Sequence, residues 1–135
     1  MADIAGDFQR ALFARLTTYA PLAALIGTRA FDRITPDAPF PYLTIFDAQL
    51  VEDGDDCRDG DEVNVDIHVW SRAVGSLEAK QIAGHVRKAL HQYDLMLGAD
   101  HALVDLSFTG SRFLRDPDGL TTHGVVSFRA LTQTP

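Results

Sequence analysis

Apolar residues recur at three- or four-residue spacing from Ile4 through Phe8, Ala11, Leu12 and Leu16, with Asp7, Gln9, Arg10 and Arg15 between them. This is the pattern of an amphipathic helix with one face turned to a core. Asp3 stands at the N-cap position, and the helix should fade near Thr17 and Thr18. A short helical turn then starts at Pro21 and is stopped by Gly27. Pro36, Pro39 and Pro41 exclude regular helix and lead the chain into a strand from about Tyr42 to Gln49. The clearest strand follows, with Val63, Val65, Ile67 and Val69 on one face and Glu62, Asn64, Asp66, His68 and Trp70 on the other.

Ser76 is placed to cap a second long helix from Leu77 to about His91, whose apolar face carries Leu77, Ile82, Val86 and Leu90. Gly98 punctuates its exit. Two further strands, about Ala102 to Leu114 and Leu120 to Thr132, read as a hairpin around Asp116-Pro117-Asp118-Gly119. Val104, Leu106 and Phe108 form the apolar face of the first, and Val126, Phe128 and Ala130 that of the second. The order helix, strand, strand, helix, strand, strand predicts an α+β fold, with an antiparallel sheet of about four strands and two main helices packed on one face. No repeat or linker divides the chain, so residues 1–135 read as one domain with an acidic loop at about 50–61.

Charge narrows the choice of partners. With 12 Lys+Arg against 19 Asp+Glu the chain carries a formal −7, which gives no electrostatic reason to hold nucleic acid. The single cysteine, Cys57, cannot form an intrachain disulfide and suits a reducing interior. Acidic residues near the start argue against a signal peptide, and no apolar run reaches the roughly 18 residues of a membrane helix. The expectation is a soluble protein, cytoplasmic at synthesis, with no membrane partner.

The stretch VEDGDDCRDGDEV, residues 51–63, concentrates five aspartates, two glutamates and Cys57. As a calcium loop starting at Asp55 it fails: Cys57 falls at the third position, and Asp66, inside a strand, falls where a bidentate Glu belongs. The carboxylates neighbouring Cys57 in the sequence would raise its pKa and disfavour a nucleophilic thiolate. His68, His85, His91, His101 and His123 show no zinc-helix spacing. Asp66 and His68 share a strand face and could approach Ser127 or Ser107, but no nucleophile elbow accompanies them. No glycine-rich phosphate loop is present. No catalytic, cofactor-binding or metal-ligating residue is therefore expected. The polar face is less ordinary, since Asn64, Asp66, His68 and Trp70 lie in line beside Asp105, Ser107, His123 and Arg129. Trp70 there is either a strand-end core cap or, with Arg129, an anchor for another subunit.

Taken together, PFPYLTI, the acidic loop, VNVDIHVWSR running into GSLEAKQIAGHVRKAL, and LVDLSFTGSRFLRDPDGLTTHGVVSFRAL resemble the tail-terminator, or tail-completion, proteins of long-tailed bacteriophages and gene transfer agents. The resemblance runs from about Phe8 to Leu131 and rests on order and spacing. It implies a non-enzymatic virion protein: a ring, usually a hexamer, on the head-proximal end of the tail tube. The ring stops tube polymerisation, meets the head connector or stopper protein, and lets DNA pass without sequence-specific binding. The implied location is the virion tail, after assembly in the host cytoplasm. On this reading Asn64, Asp66, His68, Trp70 and Arg129 are candidate interface residues, and Asp53, Asp55, Asp56, Arg58, Asp59 and Asp61 form an arm that orders against a neighbour. The alternatives are a head-to-tail joining or minor tail protein, a small ligand-binding module stacking its ligand on Trp70, and a hydrolase using Asp66 and His68.

Overall fold

The computed structural model describes residues 3–54 and 59–134. Helix α1 (Ile4–Thr18) buries Ile4, Phe8, Ala11, Leu12 and Leu16, the face its spacing predicts, and Asp3 accepts a bond from the Ala5 amide as its cap. Helix α2 (Ala20–Ile26) starts with Pro21 in its first turn and ends at Gly27, whose φ of 60° suits a residue without a Cβ. Helix α3 (Leu77–Leu90) buries Ile82, Val86 and Leu90. Leu77, expected on that face, is instead 68% exposed, because the buried stripe runs through Ala79, Ile82, Ala83, Val86, Ala89 and Leu90 and the helical repeat puts Leu77 on the opposite side from Val86. The Ser76 side chain makes no capping bond.

Among the described residues the sheet has five strands in the order β1-β2-β3-β5-β4, one more than the sequence pattern suggests. The addition is β1 (Ala30–Phe31), two residues that pair parallel with β2 (Tyr42–Glu52) and so are too short to show any alternation. Strand β3 (Asp59–Ser71) lies at the centre, antiparallel to β2 on one side and to β5 (Thr122–Thr134) on the other. Strand β4 (Ala102–Arg115) forms the far edge, and α1, α2 and α3 lie on the apolar side. Val63, Val65, Ile67 and Val69 from β3 meet Val126, Phe128 and Ala130 from β5 in that core.

The strands reach into the acidic stretch. Glu52 pairs with Asp61, the Asp53 amide donates to the Gly60 carbonyl at 2.9 Å, and Asp59 and Gly60 pair with Thr134 and Gln133. The loop expected at about 50–61 is therefore mostly the base of a hairpin, since backbone pairing on both sides of β3 outweighs repulsion between side chains that water screens. Asp55, Asp56, Cys57 and Arg58 lie outside the described residues.

Extra residues in single strands explain the remaining departures. On β4, Leu103 pairs with Thr132 and Asp105 with Leu131, so Val104 is squeezed out and turns to solvent, and Leu103 packs on the core in its place. A second shift between Phe108 and Gly110 reverses the parity again, sending Phe113 to the core side opposite Gly124 and Arg112 to the polar side opposite Val125.

Gly60 has a packing reason to be glycine: a Cβ there would sit 2.7 Å from the Thr132 carbonyl oxygen, which belongs to the backbone and cannot swing away. Gly60→Ala is expected to destabilise the protein by roughly 1–3 kcal/mol. Gly84→Ala, at an exposed position inside α3 with nothing near the added Cβ, is expected to stabilise it by about 1 kcal/mol. Urea melts of both variants check the pair.

Candidate functional site

The sheet face turned away from the helices carries the polar residues of β3, and each has a partner. The Asn64 amide donates to Glu62 at 3.2 Å, and Arg129 pairs with the same Glu62 carboxylate. Those two bonds, Arg129 first, hold the Glu62 carboxyl below its usual range. The Ser127 hydroxyl donates to Asp66 at 2.5 Å, and Ser107 donates to Asp105. The hydroxyls named for a hydrolytic triad are thus bonded to carboxylates. His68 is occupied elsewhere: its Nε2 lies 2.7 Å from Asp47 Oδ2 and its Nδ1 2.7 Å from His123 Nε2.

The Asp47–His68–His123 chain continues into an aromatic stack. Trp70 lies flat on His123, with centroids 3.9 Å apart and planes 8° from parallel, and donates from Nε1 to Thr44 at 3.1 Å. Tyr42 follows at 6.5 Å, and its hydroxyl is raised above the ordinary phenol range, mainly by burial. Trp70 is half-buried and open to the polar side, neither a core residue nor fully exposed.

Asp47 was not legible in advance. Alternation from Tyr42 and Thr44 would point it at the core, but Thr44 pairs with His68 and Asp47 with Asp66, so one extra residue in β2 brings it to the polar face. Asp47, Asp66 and Ser127 line a shallow open depression between β2 and β5. Among the described residues, no group of three His, Cys, Asp or Glu side chains is placed to hold a metal ion. In the candidate arm, Asp53, Asp59 and Asp61 stand on the hairpin base, with Asp53 and Asp59 exposed. At the other end of the sheet, Asp118 accepts from the Leu120 and Thr121 amides and the Thr121 hydroxyl, bonds that close the β4–β5 turn and pull its pKa down to about 2.

The chain is thus an α+β domain whose outer sheet face is a set of paired polar side chains, with Ser107 and Ser127 bonded to carboxylates and His68 to Asp47 and His123. Residues 10–133 match the family of the tail completion protein gp17, and the chain belongs to that family. It is 27% identical over 121 residues to the tail completion protein gp17 of Bacillus phage SPP1, covering 90% of this chain and 88% of that one. A solved structure described as the virion of a native gene transfer agent (GTA) particle contains a chain that superposes with a TM-score of 0.89 at 29% identity, over 98% of this chain and 99% of that one. The protein is a structural component of the virion tail.

Burial first, and the adjacent His68 second, lower the pKa of His123; Arg112 acts in the same direction, and Asp116 and Asp47 oppose it. The unfolded chain then takes up this proton at higher pH than the folded one, so stability is lost as pH falls from about 6.5 toward the lowered value. The melting temperature is expected to drop on acidification from about pH 7 to pH 5, and less steeply in His123→Phe, which keeps a flat ring on Trp70. Equal slopes in the two proteins would remove His123 from this account.

Proposed function

We propose that the chain assembles into a ring, a hexamer, at the head-proximal end of the tail tube, where it ends tube polymerisation and joins the tail to the head connector or stopper protein. DNA passes through the lumen of this ring, and the protein does no catalysis. The observation that carries the reading is the chain-long likeness to a subunit of a gene transfer agent virion, at a TM-score of 0.89. The charge agrees with it: six copies multiply a formal −7 sixfold, and an acidic lumen lets DNA slide by repulsion. The polar face with Asn64, Asp66, His68, Trp70 and Arg129 is a contact surface in this reading, and the acidic hairpin is an arm that finds cations on a neighbour.

Light scattering over a concentration range, with and without tail-tube protein, tests the ring. The expected result is a particle of about six subunit masses, free or capped onto tubes whose growth it halts. A monomer or dimer indifferent to tube protein would overturn the reading. For the arm, replacing Asp53, Asp55, Asp56 and Asp59 by Asn is expected to impair assembly while leaving the melting temperature nearly unchanged. A collapse of the fold in that variant would show the carboxylates to be structural.

A further inference from the structure

The two ends of the sheet differ in a way that fits one end of this chain to the opposite end of another copy. Just beyond the end of β3, Val74 is fully exposed and Leu77 is 68% exposed, and Leu120, across the 3.4 Å contact between Thr122 and Gly75, is 66% exposed. Apolar side chains on two touching segments form a knob with no internal use. At the opposite end, Phe8 and Leu12 of α1, with Ile45, Leu50 and Val63 of the sheet, line an apolar groove of about 170 Å³.

The charge around each end is complementary. The groove opens beside the hairpin base, where the carboxylates of Glu52, Asp53 and Asp59 are exposed, and no ion pair to any of them forms among the described residues. Near the knob, Arg112 and Arg115 are exposed, whereas two of the carboxylates there are held internally, Asp118 by the turn and Arg72 and Glu78 by the Ser71 hydroxyl, and Asp116 stands beside Arg115. Val63 at the groove and Ser71 at the knob sit on one strand, about 26 Å apart at the rise of a β-strand.

We infer that the Val74–Leu77–Leu120 knob of one copy seats in the α1–β2–β3 groove of the next, with Arg112 and Arg115 reaching the Glu52–Asp53–Asp59 rim. Unlike patches on opposite sides of a subunit make a head-to-tail contact that repeats and closes into a ring when the rotation allows. This contact rests on the ring reading and gives it an interface.

The experiment is sedimentation of four proteins with tail-tube protein present: wild type, Val74→Asp/Leu77→Glu, Glu52→Arg/Asp53→Arg, and Arg112→Glu/Arg115→Glu. All substituted positions are exposed, so melting temperatures should match wild type. Each variant alone is expected to associate at least tenfold more weakly. An equimolar mixture of the two charge-reversed chains should regain the ring, because alternating copies meet opposite charges at every contact. Rings of wild-type strength in the knob variant, or no rescue on mixing, would overturn this contact while leaving the ring reading standing. A wild type that stays monomeric would overturn both.

Discussion

The pairing of β3 with β5 is the constraint on which the rest of the molecule depends. The two strands run antiparallel from Asp59 against Thr134 to Ser71 against Thr122, and each alternates apolar and polar residues in step with the other. The ladder therefore has one dry side and one wet side along its whole length. The helices must lie on the dry side, where Ile67, Val69, Val126 and Phe128 are buried. The wet side is left to hydrogen bonds between side chains, and its most ordered part is the run from Asp47 through His68 and His123 to Trp70.

How much of this the chain announces depends on period. Helix α1, the core face of β3 and the β4–β5 turn follow from spacing alone, because strict periodicity and a turn sequence leave few alternatives. Strand β1 is silent, being two residues held by pairing geometry. The misplacement of Val104 and the unforeseen Asp47 share a cause: one extra residue in a strand inverts everything after it, and nothing in residue type marks where the insertion falls. The acidic stretch misleads in another way. Its composition speaks for a solvated loop, but Gly60 permits an approach to Thr132 that continues the sheet through it.

The site was legible as a face and illegible as a network. Asn64, Asp66, His68 and Trp70 share a side by parity, so their collection there needs no tertiary information. Apart from Glu62, which holds Asn64 from the same strand, their partners come from other strands, and cross-strand register belongs to the fold as a whole. The exchange between His68 and His123 illustrates this. They are neighbours only because Trp70 stands opposite His123, two residue pairs along from His68 and on the same face. A triad reading built on Asp66, His68 and Ser127 finds all three residues on the expected face, yet the serine bonds the aspartate and the histidine turns to a different carboxylate.

The two register shifts in β4 also govern what that strand refuses. As the outermost strand it has a line of backbone amides and carbonyls with no strand beyond it, of which the Leu106 carbonyl accepts from the Gln92 amide and the Phe108 amide donates to His91; an open edge of this kind is where foreign strands add and sheets grow without limit. Shifts at Val104 and Thr109 break that line into short pieces of unequal pitch, so an incoming strand finds no continuous template. The same irregularities that displaced Val104 from the core thereby guard this edge against fibrous growth.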